Sequence, residues 1–249
     1  MNAPEKKRLT GRIAAENIKL MAVPRPPQGA VERLIALGDC TGIISDTMDE
    51  LGIPSGVIGA SVLKPTIAGR TIVGPALTVR NILQRINPIE GARQHVNRMA
   101  EFEAHNLAQQ GDVLVIQGVA DVSNMGGISA QTGKRQGEIG AIVQGGVRDI
   151  AHFRALDYPV WASDITPVTG KWRIETVEIN GPIAIGEVLV APGALVIADD
   201  TGVCFIPRDN ILEVLELAEQ KAKAEETRCK AIDDGIPVPD ISRATYGEK

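Results

Sequence analysis

In the stretch "GAIVQGGVRDIAHF" (140–153), Arg148 and Asp149 follow two glycines and precede a helical pattern. A fixed guanidinium fork beside a carboxylate suits a small keto acid. The fork grips carboxylate or carbonyl oxygens, and the carboxylate offers hard oxygen ligands to a divalent cation. Breaking a carbon–carbon bond next to a carbonyl needs an electron sink, which is either such a metal or a lysine Schiff base. Lys134 and Lys171 are the nearest lysines, and neither lies in an apolar strand that would depress its pKa, so the metal reading outweighs the lysine one. His152, three residues after Asp149, lies within reach of the same site as a base or metal ligand. The bland reading stands beside the chemical one: an aspartate that caps a helix, a surface arginine and a helix-surface histidine have the same spelling.

A second candidate is "NMGGISA" (124–130). Gly126 and Gly127 let the backbone approach a ligand, and free amides there bind a carboxylate. The loop matches neither GxGxxG nor a P-loop, and an ordinary strand-to-helix turn explains it equally well. Asp199-Asp200 in "IADDTGV" are metal-ligand types, but between two short strands they read first as a tight turn. His95 and His105 fall on a long helical pattern without HExxH spacing. Cys40, Cys204 and Cys229 form no CxxC pair, and Cys204 sits in an apolar run as a structural thiol.

These residues must be positioned by strands. "DVLVIQG" (112–118) and "IGAIVQ" (139–144) are short apolar runs of the kind buried on both sheet faces, and "YPVWA" (158–162) is a third. Helices over "ISAQTGKRQG" and "IAHFRALD" separate them, which predicts right-handed βαβ units with parallel pairing. Both candidate segments then stand at carboxyl ends of parallel strands, where α/β sheets bind ligands. "IETVEI", "EVLVA", "ALVIAD" and "VCFIP" predict antiparallel strands. "GRTIVGPALTVRN" (69–81) reads as a strand interrupted at Gly74-Pro75. Two short helices are expected over 30–52, a long one over 88–110, and a charged amphipathic one over 208–232. The organisation expected is an N-terminal extension (1–29), one α/β domain mixing parallel and antiparallel strands (30–232), and an extended C-terminal tail (233–249).

The net charge of −5 and 3% aromatic content argue against nucleic acid as the main partner. No apolar run is long enough to span a membrane. The N-terminal stretch is basic but lacks the apolar core of a secretory signal, so the cytoplasm is the expected compartment.

Gly127, twenty intervening residues and then Arg148-Asp149 resemble the G-x20-R-D motif of the RraA-like proteins. That group contains the class II 4-hydroxy-4-methyl-2-oxoglutarate/4-carboxy-4-hydroxy-2-oxoadipate aldolases and the regulator of ribonuclease E activity. "SDTMDELG" (45–52), "GPALTV" (74–79), "GDVLVIQG" (111–118), "GGVRD" (145–149), "YPVWA" (158–162) and "ADDTGVCFIP" (198–207) are similar to family landmarks in the same order. The resemblance, over roughly residues 35–232, implies a swivelling β/β/α-type fold in a homotrimer or dimer of trimers, with sites between subunits and Mg²⁺ or Mn²⁺ as cofactor. It implies that Asp149 holds the metal, that Arg148 binds substrate oxygens and steadies an enolate, and that backbone amides of Gly127, Ile128 and Ser129 hold a pyruvate carboxylate. Glu225 or Glu226 in "KAKAEETR" would reach the metal of the adjacent subunit.

Two departures stand out. Family aldolases often carry an acidic residue in place of Gly127, and many members have Asp or Glu in place of His152. The implied reaction is cleavage of a small 2-oxo acid through a pyruvate enolate, by retro-aldol chemistry or decarboxylation of oxaloacetate. The competing implication is a non-catalytic regulator that binds a ribonuclease or another protein. Methyl transfer to demethylmenaquinone, a label attached to such sequences, lacks a glycine-rich S-adenosylmethionine loop here. The extension before residue 29 and "PVTGKWRIE" (167–175) match no landmark.

Overall fold

A computed structural model describes residues 7–54 and 56–246. Its framework is one mixed sheet. In chain order the elements are α1 (Ala30–Ala36), α2 (Thr41–Glu50), β1 (Val57–Gly59), β2 (Lys64–Pro65), β3 (Ile72–Leu83), α3 (Pro88–Arg93), α4 (Glu101–Leu107), β4 (Val113–Gln117), β5 (Ser123–Met125) and α5 (Gly127–Gln136). They continue as β6 (Gly140–Val147), α6 (Ile150–Leu156), β7 (Val160–Ile165), β8 (Ile174–Ile179), β9 (Ile183–Ile185), β10 (Val188–Val190), β11 (Leu195–Ala198), β12 (Gly202–Ile206), α7 (Ile211–Asp233) and α8 (Val238–Tyr246).

The strand order is β1-β12-β11-β3-β4-β6-β7-β2, with β5 beside β6 and β8 beside β3. As the sequence predicts, β4, β6 and β7 run parallel, and α5 and α6 are the crossovers. β8, β11 and β12 pair antiparallel. The break expected at Gly74-Pro75 is instead a change of partner within one continuous strand. Residues up to Pro75 pair with β11, and those from Ala76 onward pair with β4. The bulge lies further on, between Arg80 and Asn81 against β8.

Helices cover both ends of this sheet. Leu107 of α4, Ala130 of α5 and Phe153 of α6 pack on Leu77, Leu114, Ile116 and Val143. Each large side chain fully buried in this way contributes about 1.5–3 kcal/mol. A second cluster joins Leu34, Ile44 and Met48 to Val214 and Leu215 of α7. The β9–β10 hairpin covers Val115, Ile142 and Trp161 on the opposite face.

Three expectations change. The long helix over 88–110 is two short ones, because the linking segment turns sharply: His95 is left-handed (φ 57°), and the Asn97 side chain accepts from the Met99 amide (3.1 Å). The tail beyond residue 233 contains the helix α8 rather than extended chain. The N-terminal segment is packed down, with Ile13 and Val23 buried in the main core and Arg25 paired with buried Asp112. No helix among the described residues is long and apolar enough to cross a membrane.

Candidate functional site

β6 runs through the two glycines to Val147 before it delivers Arg148 and Asp149. Gly145 is left-handed (φ 129°), and a Cβ there would stand 2.7 Å from the Val119 carbonyl and closer still to the Asn124 amide. The glycine therefore lets the β4–β5 connection lie against β6, which brings the amino end of α5 beside the end of β6.

Asp149 separates the two readings of its dipeptide. It occupies the position before α6 but makes no capping hydrogen bond, and its backbone is left-handed (φ 62°, ψ 40°). A non-glycine residue held there stores about 1–2 kcal/mol. Its Oδ2 instead accepts from the Gly127 backbone N–H at 3.0 Å and lies 3.7 Å from Arg148 Nε. Among the described residues no hydrogen bond reaches Oδ1. The carboxylate is thus turned away from its own helix and toward the amino end of α5.

Gly126, Gly127, Ile128 and Ser129 line a pocket of about 310 Å³ together with Arg148 and Asp149. The two candidate segments, distant in sequence, share one cavity. The remaining walls come from stretches that carried no chemical signal. Asn97 and Glu101 enter from the turn before α4 and its first residue, and Thr169, Gly170 and Lys171 from the β7–β8 connection. The segment "PVTGKWRIE" is therefore partly pocket wall. The N-terminal extension braces the same wall, since Arg12 donates to the carbonyls of Asn97 (2.8 Å) and Met99 (3.3 Å).

His152 does not line the pocket. Its imidazole fills the space where a side chain on Gly127 would be: a Cβ at 127 would meet His152 Cγ at 2.7 Å and Cβ at 2.9 Å, with Nδ1 nearer still. The two departures from the family pattern are therefore one packing arrangement, in which a ring replaces a side chain. Glu225 and Glu226 are exposed on α7 and lie outside this pocket in the single chain.

A buried polar chain beneath the pocket escaped the sequence reading. Tyr158 donates to Glu138 Oε2 (2.7 Å), Glu138 Oε1 bonds His105 Nδ1 (2.8 Å), and His105 Nε2 bonds Ser129 Oγ (2.7 Å). Burial alone would lower the His105 pKa, but the Glu138 carboxylate outweighs it, and with Glu101 nearby the pKa is raised. Burial, with Glu138 alongside, pushes the Tyr158 phenol well above its usual value. His105, Ser129, Glu138 and Tyr158 are too widely spaced to form a motif, so only the fold reveals the chain.

The remaining candidates are structural. Asp199 forms the turn expected, accepting from the amides of Thr201 (2.9 Å) and Thr41 (3.0 Å). Burial raises the thiols of Cys40 to about 11 and Cys204 to about 12, which leaves both protonated at neutral pH. Lys134 is tied to the Leu156 carbonyl. Among the described residues no three His, Cys, Asp or Glu side chains gather as a metal cage.

Comparison with known proteins gives a consistent picture. Residues 41–205 match the family model described as "RraA-like: Aldolase/RraA". Protein DlpA of Legionella pneumophila is 31% identical over 186 residues, which cover 72% of this chain but only 29% of that much longer protein. A protein of Halalkalibacterium halodurans named "Putative 4-hydroxy-4-methyl-2-oxoglutarate aldolase" is 31% identical over 198 residues, covering 79% of this chain and 86% of that one. The crystal structure of Streptomyces coelicolor RraAS2, described as an unusual member of the RNase ES inhibitor RraA protein family, superposes with a TM-score of 0.68 at 28% identity, over 82% of this chain and 97% of that one. The chain belongs to the Aldolase/RraA family.

Proposed function

We propose that this protein is a divalent-metal-dependent lyase that cleaves a carbon–carbon bond of a small 2-oxo acid through the enolate of pyruvate. The observation that carries this reading is the uncapped, left-handed Asp149, turned with Arg148 into the pocket lined by the first turn of α5. A helix cap needs neither the strain nor the redirection.

The donor set fits Mg²⁺ or Mn²⁺. Such ions are held by one or two carboxylates with waters and substrate oxygens completing the shell, whereas catalytic zinc takes three protein ligands, usually including histidine or cysteine. Asp149 would supply one carboxylate, and Glu225 or Glu226 of a neighbouring subunit in a trimer or dimer of trimers would supply another. When bound, the metal would act as a Lewis acid toward the 2-oxo group.

The chain's own residues do the rest. In the first turn of α5 the N–H groups of Ile128 and Ser129 have no helical acceptor and receive the substrate carboxylate. The Gly127 N–H, assigned the same role from sequence, is already engaged by Asp149, so its part is to orient that carboxylate. Arg148 faces the 2-oxo oxygen and stabilises negative charge as the bond breaks. His105 holds the Ser129 hydroxyl in one rotamer from below. His152 acts indirectly, by packing that fixes Gly127.

Pyruvate release from oxaloacetate and from 4-hydroxy-4-methyl-2-oxoglutarate, with added Mg²⁺ or Mn²⁺, tests the reading. Activity should vanish with chelator and with Asp149→Ala; full activity after chelation would refute the metal mechanism. The likeness to RraAS2 favours a second reading, a protein-binding regulator. Capture of a ribonuclease by a protein inactive on every 2-oxo acid would support it.

A further inference from the structure

Among the described residues, the Glu101 carboxyl has no hydrogen-bond partner on another residue. Glu101 opens α4 at the pocket wall, and its Oε2 is out of contact with solvent. Leaving a buried carboxyl oxygen without a partner costs stability, and the one compensating contact is the residue's own backbone N–H. Asp149 is the only other carboxyl group that lines this pocket among the described residues. Three cationic or basic groups face Glu101 from three elements: His105 one turn along α4, Arg12 of the N-terminal segment, and Lys171 of the β7–β8 connection. Desolvation still prevails over them, and the carboxyl pKa is raised. His152 does not line the pocket, since its ring packs against Gly127.

We infer that Glu101 is a catalytic residue, the acid that delivers a proton to the enolate carbon of the substrate. The assignment rests on the lyase reading above. In decarboxylation of oxaloacetate the bond between C3 and the departing carboxylate breaks, carbon dioxide leaves, and its bonding pair becomes the enolate of pyruvate. The enolate pair then takes the proton from the Glu101 carboxyl, forming the new C3–H bond and leaving glutamate as carboxylate, which solvent reprotonates. In retro-aldol cleavage the carboxylate form takes the proton of the C4 hydroxyl as the C3–C4 bond breaks, and returns it to C3. The same group run backward removes a methyl proton from pyruvate. A carboxyl held without a fixed partner is free to change protonation state in this way, whereas one locked in an ion pair is not.

The test is deuterium incorporation into the pyruvate methyl group in D₂O, followed by NMR on the full chain with Mg²⁺, for wild type and Glu101→Gln. Oxalate binding by calorimetry and the thermal midpoint are measured on the same samples. Wild type should exchange. Glu101→Gln should exchange about 10²–10⁴-fold more slowly, bind oxalate as wild type does, and melt no lower. Exchange by Glu101→Gln at the wild-type rate would overturn the assignment. So would joint loss of exchange, oxalate binding and thermal stability, which marks a structural residue. A wild type that neither exchanges pyruvate nor releases it from oxaloacetate refutes the lyase reading itself, and the role of Glu101 with it.

Discussion

Gly127→Ala is a small change with a calculable consequence. Alanine at a helical position gains up to about 1 kcal/mol over glycine in intrinsic propensity, less in a first turn. Here the added methyl group would stand 2.7 Å from His152 Cγ and 2.9 Å from its Cβ. Rotating the imidazole clears the ring atoms but leaves Cβ, which is fixed to α6, so α5 and α6 must move apart. Such overpacking costs about 1–3 kcal/mol, so the net expectation is a loss of about 1–2 kcal/mol. The separation also stretches the 3.0 Å bond from the Gly127 N–H to Asp149, so lyase activity falls with stability. His152→Gly removes both the obstructing ring and its Cβ, and in that background Gly127→Ala should cost little. Urea denaturation of the four proteins in the double-mutant cycle reads the coupling directly, with about 1–2 kcal/mol expected. Additivity within about 0.5 kcal/mol would refute the reasoning, because it would mean that the ring does not occupy the side-chain space of residue 127.

Other outcomes follow from the same geometry. Glu138→Ala leaves buried His105 and Tyr158 without their shared acceptor and should lose about 3–5 kcal/mol, read by denaturant unfolding; a loss under about 1 kcal/mol would show that the chain is not a closed buried network. Because burial raises the Glu101 pKa, its stabilising contribution is complete below its ordinary value of 4.5 and is lost as pH rises through the raised one. Wild type should therefore lose thermal stability relative to Glu101→Gln as the pH climbs past that range, and parallel midpoints across the series would contradict the shift. Iodoacetamide at neutral pH should label only the exposed Cys229, since Cys40 and Cys204 are buried thiols; mass spectrometry that finds either of those labelled in the folded protein would overturn their burial.

The parallel centre of the sheet was legible because apolar runs at 112–118, 139–144 and 158–162, separated by helical patterns, can bury both faces of a strand in few other ways. The paired site was legible for a related reason: Gly127 and Arg148-Asp149 each follow one of these strands, and consecutive right-handed βαβ units set neighbouring strand ends side by side. Local spacing failed where tertiary contacts decide. The long helix over 88–110 was wrong because Asn97 and the left-handed His95 turn the chain there, and the walls that turn forms become apparent only once Arg12 and the β7–β8 connection close on them. His105 carried no motif, since its partners Ser129 and Glu138 reach it from α5 and the segment before β6. His152 looked like a pocket residue from its distance to Asp149 along the chain, but helix geometry points its ring at Gly127. Sequence by itself determined the parallel strands at the centre of the sheet and which two turns meet at their ends, because periodicity and connection handedness are local rules. Only the tertiary structure decided that Asp149 turns from its helix to the Gly127 amide and that, among the described residues, no other side chain pairs with Glu101 in the same pocket, because burial and hydrogen-bond partnership depend on segments that the chain brings together from far apart.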